Sequence, residues 1–172
     1  MNETMEWILK RRSIRDYTDA QVTEAQVETL LLQAAMAAPS ANDKRPWAFV
    51  VVRETERRAR LAETHQWSYM CSNAPVVIAV LGDMEASSHW VEDCSAATEN
   101  LLLAAAGLDL GAVWVAVYPH IDRESKVSQL LDIPERFRVL CLVPVGQPAE
   151  IKPPRTRYEE SKVHKERFSN PG

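Results

Sequence analysis

Four short runs of the chain are almost wholly apolar: Trp47 to Arg53, Pro75 to Leu81, Ala112 to Tyr118, and Val139 to Val145. Runs of that length, rich in valine and without polar alternation, predict buried strands. Other segments carry the helical period. Met5 to Arg12 predicts a short helix with Met5, Ile8, Leu9 and Arg12 on one side. Thr23 and Gln26 have the spacing of a capping box, and Val22 and Val27 that of a hydrophobic staple. Val27, Leu30, Leu31, Ala34 and Ala38 then recur at helical spacing until Pro39 stops the helix. Thr55 to Glu63 predicts a charged surface helix, and Trp67 to Asn73 a helical turn. Ser88 is placed to cap a long helix from His89 to Ala106, with Trp90, Cys94, Ala97, Leu101, Ala104 and Leu108 as its buried stripe. Gly107 is its expected C′ residue. Asp122 opens a last helix to about Leu131, closed by Ile133-Pro134.

Helices alternating with strands predict one sheet covered by helices. The pattern gives no strand order. After Gly146 the character changes: Pro148, Pro153 and Pro154 punctuate a polar tail with no core of its own. Such a tail either stays disordered or packs on something else. No repeat or low-complexity segment is present.

A length of 172 residues suits one domain, and 46% hydrophobic residues excludes disorder. The formal net charge of −4 argues against nucleic acid as a partner. Cys71, Cys94 and Cys141 are odd in number and far apart, so neither a disulfide framework nor a zinc site is expected, and a reducing cytoplasm fits. His65, His89, His120 and His164 are too scattered for a metal site. Residues 1–10 have no apolar core of a signal peptide, and no run reaches the ~18 apolar residues of a membrane span. The five glycines form neither G-x-G-x-x-G nor a P-loop. A nucleotide phosphate, if bound, must therefore be held by side chains.

The candidates for that are basic. Lys10-Arg11-Arg12-Ser13-Ile14-Arg15-Asp16-Tyr17 holds four basic residues and a hydroxyl, and Lys152-Pro153-Pro154-Arg155-Thr156-Arg157 is a second basic segment. Guanidinium forks match phosphate oxygens; for the first segment alone the alternative is a solvated helix end, and for each of these residues singly it is surface exposure.

Between them lies Pro39-Ser40-Ala41-Asn42-Asp43-Lys44-Arg45-Pro46-Trp47. These three segments, in this order, resemble the nitroreductase family of flavin-dependent oxidoreductases, which opens with an Arg-x-Ser-x-basic motif and continues with a Pro-Ser-x-x-Asn-x-x-Pro-Trp loop. The resemblance covers nearly the whole chain and is greatest to the short, single-domain members. It implies an α+β fold with a mixed, largely antiparallel sheet flanked by helices. It implies one FMN-binding domain over 1–172, with 148–172 as an extended arm around the partner of a homodimer. The long helix with its small residues would lie in that interface.

The resemblance also implies roles. Arg11, Ser13, Arg155 and Arg157 would hold the phosphate of FMN, with backbone contacts from Arg12. Arg15 would face the N1/O2 edge of the ring, the alternative being an ion pair with Asp16 or Asp19. Pro39, Ser40 and Ala41 would support the ring from the neighbouring subunit. Ala116 and Val117 would turn backbone N–H groups toward N5. Three positions depart from the family pattern: Asp43 for Asn, Arg45 for Gln, and Ala116 for Gly; Asp43 stands at a position that contacts the flavin, where a carboxylate lacks the amide's donor, and Asn42 is the alternative if the loop shifts. His65 and Gln66 fall in the segment that covers the pocket in relatives, where a surface histidine is the alternative. Trp47 reads as a core anchor. The activity implied is hydride transfer from NAD(P)H to a small electron-poor acceptor such as a nitroaromatic or quinone, in ping-pong fashion, with no membrane partner. A flavin-sequestering protein would share the same phosphate ligands, and a module that binds an acidic partner through its basic segments would need no flavin.

Overall fold

The computed structural model describes residues 2–168. Its centre is an antiparallel sheet in the order β1-β2-β5-β3, with β4 also paired to β5. The strands are β1 (Trp47–Val52), β2 (Val76–Asp83), β3 (Gly111–Ala112), β4 (Val115–Ala116) and β5 (Phe137–Gly146). Every ladder is antiparallel; a parallel bridge joins Ser13 to Ala112. The expected α+β fold is what forms.

Helices cover both faces, which is why β2 is apolar without alternation. Val76, Ile78 and Val80 face one core cluster, and Val77, Ala79 and Leu81 the other. The first face is covered by a π-helix at Ala25–Leu31, by α2 (Leu32–Met36) and by the long α4 (Trp90–Gly107). The second is covered by α3 (Thr55–Ala62) and α5 (Ile121–Leu130). A bulge in β5 breaks the alternation there: Val80 pairs with Cys141 and Leu81 with Val139, so Leu140 is the extra residue. Leu140 and Cys141 consequently share one face.

Local details depart from the sequence pattern for identifiable reasons. The first helix, α1, runs Glu3–Lys10, earlier than predicted, because Asn2 Oδ1 accepts the Met5 N–H at 3.0 Å. Its apolar side is not buried: Met5 and Ile8 are each 46% exposed. The Thr23–Gln26 box forms in both directions, at 2.9 and 3.1 Å, and Val22 and Val27 are buried. It opens a π-helix, which the periodicity did not distinguish from an α-helix; the side chain of Leu30 lies outside the described residues. Ser88 does not cap α4. The residue before the helix is His89, and Ser87 bonds both the His89 N–H and Asp93. Gly107 remains helical, and the left-handed residue is Asp109 (φ 55°), followed by Leu110, whose N–H returns to the Ala105 carbonyl at 2.8 Å. The run from Ala112 to Tyr118 splits into β3 and β4. Gly82 lies within β2, where a Cβ would stand 2.3 Å from the Trp90 ring.

The tail begins on its own chain. Gln147 O accepts from the Thr18 N–H, the Ala149 N–H bonds Asp16 O, and the Arg155 N–H bonds Leu9 O. Beyond Arg155 it is mostly exposed, with a 3-10 turn at Glu160–Lys162. Residues 169–172 of the expected arm lie outside the described residues.

Candidate functional site

The extended segment after α1 is held on both sides. The Arg11 N–H closes the helix on Trp7 O at 2.9 Å, and Ile14, buried against Gly111, bonds Ala112 O at 3.0 Å. From the tail, Lys152 Nζ donates to Ser13 O at 2.8 Å, and Glu150 Oε1 accepts from the Arg15 N–H at 2.7 Å. Lys152 and Glu150 also pair with each other at 2.7 Å. Burial alone would raise the Glu150 carboxyl. The bonds from Lys152 and Arg15 outweigh it, and its pKa falls below the ordinary value.

This clamp brings both basic segments together. Arg11, Arg12, Ser13, Arg15, Arg155 and Arg157 line one cleft of about 450 Å³. Arg11 pairs with Glu99 of α4 at 3.2 Å. Arg12 donates to the Pro153 carbonyl, joining the two basic segments directly. Among the described residues no carboxylate pairs with Arg12, Arg15, Arg155 or Arg157. The Asp16 or Asp19 pairing considered for Arg15 is therefore not made. Desolvation, and then repulsion from Arg12, Arg157 and Arg11, lower the pKa of Arg155 from its ordinary value. Guanidinium groups converging on one cleft, most of them without an acidic partner, give it the charge and the donors to hold an anion.

Arg15 also lines a second cleft, of about 350 Å³, so the two clefts meet there. Its walls include Trp67, Tyr69, Trp114 and Ala116, and His65 and Arg123 line it too. Aromatic and aliphatic side chains make up most of this slot, with Arg15, His65 and Arg123 as its polar groups. Ala116 is exposed in it. Val117 is not: its side chain is wholly buried and its N–H bonds Leu140 O at 3.2 Å. The bulge in β5 turns that carbonyl toward Val117 and Tyr118, so the Val117 N–H is not free to meet a ligand.

His65 is half-buried and belongs to this slot, not to the open surface. Its Nδ1 accepts the Trp67 N–H at 3.2 Å, which places the ring proton on Nε2. Nε2 is buried and has no partner among the described residues. Burial, followed by repulsion from Arg123 and His120, lowers its pKa and favours the neutral ring.

Pro39, Ser40, Ala41 and Asp43 line neither cleft. Asn42, Asp43 and Arg45 are all left-handed, with φ of 51°, 54° and 47°. The loop holds this shape because Ser40 Oγ accepts the Arg45 N–H at 2.9 Å and buried Asp93 accepts the Ala41 N–H at 2.8 Å. Asp43 pairs with Arg45 at 3.3 Å, so both departures from the family pattern neutralise one another within the loop. Within one chain, then, the phosphate candidates converge, and the loop expected to support the ring stands apart.

Sequence reasoning missed Arg123, Tyr69 and Trp114 as slot residues and Asp93 as the anchor of the loop. Arg123 lies on a surface helix and Trp114 inside an apolar run, so neither carries a local signal. The cysteines are inert: burial raises Cys71 and Cys94 to about 12 and Cys141 higher still.

A profile described as the nitroreductase family matches residues 8–69 and 64–147. A protein of Archaeoglobus fulgidus, provisionally named NADH dehydrogenase/NAD(P)H nitroreductase, is 40% identical over 98% of this chain and 100% of its own length. A solved structure under the same provisional name, from Parabacteroides distasonis, superposes with a TM-score of 0.95 at 40% identity, covering 98% of this chain and 100% of that one. A provisionally named nitroreductase from Desulfovibrio desulfuricans, solved in complex with FMN, gives a TM-score of 0.83 at 31% identity, covering 98% and 99%.

Proposed function

The chain belongs to the nitroreductase family, and from that premise we propose that it is an FMN-dependent oxidoreductase drawing on NAD(P)H. The observation that carries the reading is the convergence of Arg11, Arg12, Ser13, Arg15, Arg155 and Arg157 on one cleft, most of them without acidic partners. A phosphate monoester carries about −1.5 to −2 charge at neutral pH, which suits that excess. When bound, FMN supplies hydride transfer between the nicotinamide donor and an electron-poor acceptor such as a nitroaromatic or quinone. The chain's own residues bind and orient. Arg155 and Arg157 supply guanidinium forks, Arg12 ties them to the first segment, and Ser13 adds a hydroxyl. Arg15, at the junction of the clefts, would hold the polar edge of the ring, and Ala116 would bound the slot. One slot of about 350 Å³ would serve donor and acceptor in turn, which gives ping-pong kinetics.

A homodimer completes the reading. The loop Pro39 to Arg45 stands apart from both clefts in its own chain, as a loop serving a neighbour's site would. The exposed apolar residues Met5, Ile8, Met36, Ile151 and Tyr158 suit contact with a second copy. In the assembled dimer the whole chain would form one domain, with 148–172 as its arm, in a reducing cytoplasm that suits three buried free thiols. No described helix is long and apolar enough to cross a membrane.

The purified protein is expected to be yellow, to release FMN on heating, and to bleach when NADH or NADPH is added. FAD in the supernatant would reject the assignment. A bound flavin that neither nicotinamide reduces would reassign the protein to flavin storage. In the same assay Arg11→Ala should weaken FMN retention by about tenfold or more, the worth of a charge-assisted hydrogen bond. Lys10 is exposed, outside the basic cleft and over the Trp7 ring at 4.8 Å, so Lys10→Ala should retain FMN. Equal retention in the two variants would remove Arg11 from the phosphate site.

Arg15→Gln tests the ring edge. It should leave FMN bound but lower its reduction potential, because a positive charge favours the electron-rich form. Spectroelectrochemical titration that gives the unaltered chain's potential would take Arg15 away from the ring.

A further inference from the structure

The slot beside the basic cleft carries permanent charge of one sign. Arg15 and Arg123 line it, and no aspartate or glutamate does. The flavin reading above, on which this inference rests, commits Arg15 to the ring and leaves the Arg123 end of the slot for the acceptor.

Arg123 lies in the first turn of α5 and spends one N–H on the Ala116 carbonyl, at 3.3 Å. Among the described residues it has no ion pair. The histidine beside it is held neutral. Burial first, then Arg123, His120 and Lys126, oppose protonation of His65, and Asp122 favours it without reversing the balance. His65 therefore stays uncharged beside Arg123, and its Nε2 is enclosed with no acceptor among the described residues. A second positive charge is disfavoured here, and a negative one has a waiting fork. The walls specify shape. Trp67 is 62% and Tyr69 52% exposed, although both line the slot with Trp114. Flat rings left open in this way favour a flat partner.

We propose that this end of the slot selects planar aromatic acceptors that carry a carboxylate, and that Arg123 determines that selectivity by pairing with it. A planar, bidentate guanidinium matches a carboxylate lying in the plane of an arene. Arg123 does not touch the reacting atoms in this assignment. Its role is to choose and orient the acceptor.

The probes are 4-nitrobenzoate and its neutral methyl ester, reduced by the FMN-loaded protein with NADH. The KM for the acid should lie about tenfold or more below that for the ester, the scale of one charge-assisted pair. Arg123→Gln should abolish the difference by raising the KM of the acid alone, with the ester and NADH unaffected. Arg123→Lys, which keeps the charge without the fork, should fall between. Equal KM values in the unaltered protein would overturn the proposal. So would a rise for both acceptors together, or for NADH alone, which would assign Arg123 to the dinucleotide.

A second measurement does not depend on turnover. Calorimetric titration with benzoate and with benzamide should show heat for benzoate only, lost in Arg123→Gln. No benzoate binding to an FMN-loaded protein would overturn the selectivity and leave the flavin reading intact. Benzoate binding by a protein that holds no FMN would overturn the flavin reading and support the anion site.

Discussion

A chain ended at Gln147 is expected to fold, yet to bind FMN at least about two orders of magnitude more weakly than the full chain. Folding should survive because both core clusters are built from residues no later than Val145. Binding should not, because the cut removes Arg155 and Arg157 from the basic cleft. Each is a charge-assisted donor worth about 1.5–3 kcal/mol to a phosphate. Both are exposed, so the lower end applies, and two together give about 3 kcal/mol, or roughly 100-fold. The cut also removes Glu150 and Lys152, which hold the backbone at Arg15 and Ser13, so the remaining arginines lose their preorganisation. A chain ended at Tyr158 retains all of these groups and should keep FMN. Flavin absorbance after desalting reads the first comparison. Sedimentation reads the second, since a dimer held partly by the tail should dissociate in the shorter chain. Full FMN loading of the chain ended at Gln147 would show that the phosphate lies elsewhere. A flavin-loaded monomer of the full chain at micromolar concentration would contradict a site shared between subunits.

How far this site can be read in the sequence depends on how local each signal is. The two basic segments are local, and so are the strands that lie between them. Pairing of the basic segments is not local. It is made by Arg12 on the Pro153 carbonyl and by Lys152 on Ser13, contacts between residues some 140 positions apart. What joined them in advance was the order of motifs, not periodicity. Strand order was likewise hidden. A strand buried on both faces reads the same whether its neighbours run parallel or antiparallel, so β2 gives no indication that β5 lies beside it.

The finer errors at the ends of α4 share a cause. Ser88 and Gly107 are read from residue type at a plausible spacing, and a neighbour takes the role; Val117 is named only through the family resemblance. Ser87 reaches Asp93, so the start of α4 is organised one residue earlier. Asp109 takes the left-handed turn that Gly107 was expected to supply; aspartate tolerates that region better than most residues. Val117 faces the core because the bulge at Leu140 offers its N–H a carbonyl, and a bulge has no signature in a run of valines and leucines. Arg123 was invisible for another reason. Its environment is assembled from the segments at residues 15, 65–70 and 113–116, and no single segment records it.

The clamp that sets Arg123 in place carries the other large expected effect. Arg138 of β5 grips Glu124 of α5 with two bonds, Nε to Oε1 at 2.5 Å and NH2 to Oε2 at 2.6 Å. Oε1 also accepts the Val139 N–H at 3.0 Å. The Glu124 side chain is 9% exposed and that of Arg138 32%, so the two partners are not equivalent. Arg138→Ala leaves a carboxylate nearly buried without its counter-charge, which costs about 3–5 kcal/mol when one member of a buried pair is removed. Glu124→Gln leaves a guanidinium that already reaches water, and its amide can still accept from Val139; it should cost less, about 1–3 kcal/mol. Adding Glu124→Gln to Arg138→Ala should therefore restore stability, because it removes the stranded charge. Urea unfolding at neutral pH of the two single variants and the double variant reads all three values. Glu124 adjoins Arg123 on α5, so Arg138→Ala should also erase the preference for 4-nitrobenzoate over its ester while FMN stays bound. A cost below about 1 kcal/mol for Arg138→Ala, in the range of surface ion pairs, would show that the carboxylate finds water and that this clamp does not hold α5 to the sheet.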